Sequence, residues 1–159
     1  MTAEPVRVVL AVALAAALVA VALPAVEEAR ESRRAALAQE AAADLRASIR
    51  GLVAREDPVH PGGRGARRIV SLRVPAGDAA VRVGVRTGPS DAVGWRTSGR
   101  RGRLPVGVDV RVGGISTPDG LTLREPGAHR LVLAFRTRDG REFVRVRRFK
   151  SGDMTTPHG

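Results

Sequence analysis

Residues Val8 to Val26 read VVLAVALAAALVAVALPAV, nineteen consecutive positions without a charge. At about 1.5 Å of rise per residue, a helix over this run reaches about 28 Å, the hydrocarbon thickness of a bilayer. It has no polar stripe, so it does not read as the amphipathic surface helix of a soluble domain. The run predicts a transmembrane helix with membrane lipid as its partner. Two other readings use the same residues. One is a buried core helix. The other is a cleaved secretory signal, with Arg7 as its basic region and Leu23-Pro24-Ala25 as its cleavage site. The run is long for a signal sequence, and helix-forming residues continue beyond it.

From Glu27 the chain reads EEARESRRAALAQEAAADLRASIRGLVARED. Ala, Glu, Arg, Leu and Gln dominate, all good helix formers. Leu37, Ala41, Leu45, Ile49 and Leu52 or Val53 recur at helical spacing and form a thin apolar stripe. Asp57-Pro58 ends the pattern, because the residue before proline is pushed out of the helical region. One nearly continuous helix from about Val6 to Glu56 is predicted, kinked at Pro24 where the ring removes a backbone bond.

His60-Pro61-Gly62-Gly63-Arg64-Gly65-Ala66 is a turn-rich break. Beyond it the period becomes two. Ile69 to Val74 reads as a strand. Val81, Val83 and Val85 alternate with Arg82, Gly84 and Arg86; a short piece surrounds Trp95; Val106, Val108, Val110 and Val112 alternate with Gly107, Asp109 and Arg111. Thr87-Gly88-Pro89-Ser90-Asp91, Pro118-Asp119-Gly120 and Pro126-Gly127 are turn signals. Asp139-Gly140 centres a hairpin that pairs Thr137 with Glu142, Phe135 with Val144 and Leu133 with Val146. Its other face carries Arg136, Arg145 and Arg147.

The predicted fold class is α+β, a long N-terminal transmembrane and stalk helix followed by a small antiparallel β-sandwich-like domain. The corresponding divisions are residues 1–57, a flexible linker 58–66, a β domain 67–150 and a disordered tail 151–159. On this reading a chain beginning at Arg67 is soluble and β-rich by itself.

The chain has a net charge of +11 and no cysteine, which excludes disulfides, thiolate metal sites and cysteine nucleophiles. The charge is unevenly placed. Residues 1–57 hold 7 Arg against 8 acids, whereas residues 67–150 hold 19 Lys and Arg against 7 acids. Lys150 is the sole lysine. The Arg, Ala, Val and Gly excess has the look of a GC-rich genome.

The basic strand positions are Arg82, Arg86, Arg111, Arg136, Arg145 and Arg147, and the densest basic spot is a loop from Ser98 to Arg103 that carries Arg100, Arg101 and Arg103. They admit two readings. One is a solvated face that discourages edge pairing. The other is a surface for non-specific contact with an anionic polymer or headgroup, in which Arg100, Arg101, Arg103, Arg136, Arg145 and Arg147 are the candidate contacts. Trp95, Phe135, Phe143 and Phe149 are the only aromatic residues. Base-stacking platforms are therefore thin, and nucleic-acid binding would be phosphate-driven and salt-sensitive. Trp95 reads as core or sheet edge.

No catalytic, cofactor-binding or metal-ligating residue is selected. His60 lies in the linker, His158 in the tail, and His129 borders a strand. No metal-ligand spacing, phosphate loop or nucleophile elbow is present. The expectation is a chain without enzyme chemistry, without a cofactor and without a small-molecule substrate.

The apolar run ending in Ala22-Leu23-Pro24-Ala25, followed by a polar amphipathic helix and a β domain, resembles type IV pilins and pilin-like proteins. The whole chain is similar to pilin-like membrane proteins of halophilic archaea, a family without an assigned activity. That likeness adds Gly127-Ala128-His129-Arg130-Leu131-Val132-Leu133 and the Asp139-Gly140 turn. The resemblance implies that the apolar half sits in the membrane and packs into a filament core, and that the polar half packs against the globular head. It further implies a structural or accessory role in a type IV pilus-type system, with other pilin-like subunits or assembly proteins as partners. The alternative is an anchored binding module whose Arg-rich face captures anionic polymers or headgroups. Pilin-like topology places the β domain outside the cell membrane. Arg30, Arg33 and Arg34, which follow the run where only Arg7 precedes it, favour the opposite orientation.

Overall fold

The computed structural model of the chain describes residues 3–60, 63, 65, 67–87, 90–113 and 120–149. The expected tail 151–159, with His158, lies outside them, as do Lys150, Arg64 and the Pro118-Asp119 part of one expected turn. Among the described residues one α-helix is followed by eight β-strands, an α+β architecture.

Helix α1 runs from Ala3 to Arg55 and continues through Pro24. The chain divides into two compact units, Met1–Arg33 and Arg34–Gly159. In the first, every described side chain from Pro5 to Arg30 is exposed, Leu10 at 68% and Val21 at 78%. This is the single described helix long and apolar enough to cross a membrane, by length and composition.

The second unit begins inside the helix, not after it. Ala35, Ala38, Ala42, Leu45, Ile49 and Leu52 are buried at alternating spacings of three and four residues. This is the heptad rhythm of a helix packed along one seam. Most of them join one hydrophobic core with the strands. Leu37, expected in the apolar stripe, is 45% exposed instead. Ala41, Leu45, Ile49 and Leu52 of that stripe are buried as expected, and Ala35, Ala38 and Ala42 widen it, their small side chains letting the helix come close to the strands. A β domain divided at residue 67 therefore lacks one wall of its own core.

The strands are β1 (Arg67–Val74), β2 (Ala80–Thr87), β3 (Ser90–Arg96), β4 (Arg101–Pro105), β5 (Asp109–Val112), β6 (Leu121–Leu123), β7 (Gly127–Arg138) and β8 (Arg141–Arg148). They form two four-stranded sheets. Sheet A has the order β1-β7-β8-β5, and sheet B the order β4-β3-β2-β6. Leu72, Val74, Leu131, Leu133, Val144 and Val146 of sheet A meet Val81, Val83, Val93 and Leu123 of sheet B in the shared core. The pairings between these strands are antiparallel except β5 with β8, which is parallel.

The β7–β8 hairpin has the expected register, Thr137 with Glu142, Phe135 with Val144 and Leu133 with Val146. Asp139 and Gly140 both take positive φ, 54° and 73°, the two-residue turn whose twist suits paired strands. Elsewhere the pattern is altered. Thr97 N–H donates to the Arg100 carbonyl at 2.7 Å, closing a tight turn. The expected loop through Arg103 is thereby shortened to that turn, and Arg101 to Pro105 become edge strand β4. Gly107, at φ 80°, interrupts the valine alternation, and the strand expected from Val106 begins only at Asp109. The short strand β6 is a further addition. His129 lies within β7, and its Nε2 is 2.7 Å from the Glu125 carbonyl.

A β-bulge at Gly84, which has φ 76°, reverses the alternation of β2. Val83 faces the core opposite Val93, whereas Val85 pairs with Ala92 on the outer face. Beyond the bulge Asp91 is buried, and its carboxylate accepts a hydrogen bond from Val110 N–H at 2.7 Å. That bond satisfies a backbone donor on the open edge of β5.

Candidate functional site

Arginine is the one functional side chain the strands supply in number, and the two sheets use it differently. On the outer face of sheet A, the register places Arg67, Ala134, Arg145 and Arg111 in one row across four strands. Val132, Ala134 and Phe143 also face outward there, yet they are buried. The Arg111 guanidinium carbon lies over the Phe143 ring, 4.1 Å from its centroid, and that of Arg130 over Phe149 at 4.3 Å. Guanidiniums placed over rings cover apolar surface as much as they present charge.

Arg136 departs furthest from the expected anion contact. It is 3% exposed, and its Nη1 donates to the carbonyls of Gly63 at 2.8 Å and His60 at 3.2 Å. Val59 forms a parallel bridge with Arg136, and Thr137 N–H donates to the Val59 carbonyl at 3.0 Å. Arg136 thus fastens the described part of the segment between α1 and β1 to the edge of β7. Burial lowers its pKa below the ordinary guanidinium value, and the neighbouring charges of Arg145 and Arg67 lower it further. A cation already surrounded in this way holds backbone, not ligand.

On the outer face of sheet B the arginines surround a depression. Arg82, Gly94 and Arg103 lie in one cross-strand row, and Ala80, Arg96 and Arg101 in the next. Gly94 and Ala80 contribute little side chain, so the rows leave a floor between the guanidiniums. Val85, turned outward by the bulge, adds apolar floor. The cleft has a volume of about 210 Å³ and is walled by Arg82, Arg96, Arg101, Arg103 and Arg124, with no acidic residue among those that line it. A second, more open cleft of about 470 Å³ shares Ala80, Arg96 and Arg124 with it and extends to Gly77, Asp78 and Ser98. Gly77, at φ 96°, makes room for Arg34 of α1: a methyl group there would lie 3.3 Å from the Arg34 Nε.

Of the six expected anion contacts, the fold brings Arg101 and Arg103 into this cleft. It puts Arg100 at the exposed tip of the preceding turn, Arg145 and Arg147 on the opposite sheet, and Arg136 in the interior. Arg96 and Arg124 were not selected by sequence reasoning, and the period-two pattern alone gives them no distinguishing mark. Trp95 is half-buried against the core and borders the cleft. It packs over Gly102, where an added methyl group would lie 2.5 Å from its Nε1.

Guanidiniums are permanent, planar donors suited to oxyanions. Five of them around one concave surface can hold a phosphate, sulfate or carboxylate, and they do not by themselves move a proton. Among the described residues no group of three or more His, Asp or Glu is placed to hold a metal ion.

The fold and its surface thus define an α+β protein with an uncovered apolar helix and a cationic β unit. The chain belongs to the family described as a domain of unknown function, DUF7311, whose profile matches residues 5–149. The match extends over both compact units. No curated protein and no solved structure matches the chain.

Proposed function

We propose that the chain is a single-pass, membrane-anchored, non-enzymatic subunit of pilin-like build, a structural or accessory component of a type IV pilus-type surface system. The observation that carries this reading is the division of labour along α1. Its first half is apolar and exposed, while its second half supplies core to the β unit. A helix used in this way joins an anchor to a folded head with no Gly- or Ser-rich linker between Val26 and Ala35. The head, on this reading, lies outside the cell membrane and makes contacts there with other subunits or assembly proteins. What it presents are guanidiniums, which favour binding over proton transfer.

Fractionation of cells expressing the full chain tests the anchor. The protein should remain with membranes through alkaline and high-salt washes and be released by detergent. Cysteine pairs engineered along Val8 to Val26 then test subunit packing. Disulfide-linked dimers between apolar helices in native membranes support the filament-type role, and their absence at every position refutes it. Release of the full-length chain by salt alone would refute the anchor.

A further inference from the structure

We infer that the arginine-walled cleft on the outer face of sheet B is a binding site for a phosphate group, as carried by the headgroup of an anionic phospholipid. The inference rests on the proposed membrane anchoring for the source of the ligand, and on the cleft alone for its chemistry.

Four observations lead to it. First, four guanidiniums on the three strands β2, β3 and β4, with Arg124 just past β6, converge on one surface of about 210 Å³ that no acid lines. Holding like charges together costs free energy that a bound oxyanion would relieve. Second, the floor is built from small residues, Ala80 and Gly94, which lets an anion approach the guanidinium planes. A Cβ at Gly94 would sit 3.7 Å from the Gly102 carbonyl, an ordinary contact, so packing does not demand the glycine. Third, the cleft is compact and has only Trp95 as an aromatic neighbour. An extended nucleic-acid strand needs a longer track and stacking rings. Fourth, only Glu27 to Arg33 separate Val26, the last residue of the apolar run, from the compact unit that carries the cleft. An anchored chain with so short a connection meets headgroups at high effective concentration.

Trp95 shares the core-facing row of Val81 and Gly102, so binding is read by calorimetry rather than by its emission. The full chain in neutral detergent is titrated separately with a short-chain phosphatidylglycerol, with inorganic phosphate and with a heparin oligosaccharide, and the heat of binding is followed. The phosphatidylglycerol should give a saturable change, weakened tenfold or more in an Arg96→Gln/Arg103→Gln double variant and unchanged in Arg145→Gln/Arg147→Gln. Equal affinity for inorganic phosphate would support the phosphate site and move its source from lipid to solution. The inference is overturned if neither phosphate ligand gives a saturable change, or if heparin alone binds and the Arg145/Arg147 pair governs it. Circular dichroism of both double variants establishes that they are folded. Membrane extraction of the same variants separates the two claims: anchoring that persists without phosphate binding overturns only the cleft, and phosphate binding by a chain washed off by salt overturns only the anchor.

Discussion

Arg46, on the packed half of α1, donates through Nε to the Pro105 carbonyl of edge strand β4 at 2.8 Å. Next to the seam formed by Leu45 and Ile49, it fastens the helix to sheet B, while Leu45 shares a groove with Val70 and Leu72 of edge strand β1 in sheet A. The helix thus meets an edge strand of each sheet. A chain beginning at Arg67 is accordingly expected to be poorly folded and aggregation-prone. One beginning at Glu31 should give a cooperative thermal transition with both helical and β signals in circular dichroism.

The one departure from the expected apolar stripe gives a second test. Leu45 is fully buried, whereas Leu37 is 45% exposed. Leu45→Ala should cost about 2–5 kcal/mol by loss of transfer energy and creation of a cavity. Leu37→Ala should stay within about 0.5 kcal/mol. Denaturant unfolding of the two variants side by side measures the difference, and equal costs would return Leu37 to the stripe expected from spacing.

Arg136→Met retains much of the side-chain length and removes the donors to His60 and Gly63. Two carbonyls lose a charged partner, and a cost of about 1–3 kcal/mol is expected. Proteolysis between residues 57 and 67 should accelerate with it. Arg147→Gln, on the same strand pair but half-exposed, should do neither.

Gly102→Ala places a methyl group within 2.5–2.9 Å of the Trp95 indole. The ring must move, at a cost of about 1–3 kcal/mol for overpacking. Trp95 emission should shift to the red as the indole gains solvent. A mutant with unaltered emission and stability would mean that the ring does not rest on Gly102.

The parts of the fold that local chemistry dictates were legible in the residues. Asp139-Gly140 and the flanking period-two alternation determine both a turn and a register, so the β7–β8 pairing could be read residue by residue. Asp57-Pro58 stops a helix by local sterics, and α1 ends at Arg55. What escaped depends on partners remote in sequence. Ala35, Ala38 and Ala42 look neutral until a sheet approaches them. Gly84 looks like any polar-face residue until its positive φ inverts the pattern and sends Val85 outward. Leu121 to Leu123 is too short to announce a strand, and the parallel β5–β8 pair joins segments separated by β6 and β7. The cleft followed the same rule: Arg101 and Arg103 stood out as a basic run, but Arg82, Arg96 and Arg124 reach it only through sheet order. Arg136 and Arg147 alternate identically in sequence, and only Val59, His60 and Gly63 make one a structural clamp.

The absence of native cysteine permits the most direct measurement of how α1 is used. Single cysteines at Ala15, Leu45 and Ala47 of the full chain are exposed in isolated membranes to a water-soluble maleimide. Ala47→Cys, on the exposed face of the packed half, should label at once; Leu45→Cys only after denaturation; and Ala15→Cys only after detergent removes the lipid, since the reactive thiolate is disfavoured in hydrocarbon. Rapid labelling of Ala15→Cys in untreated membranes would contradict the account.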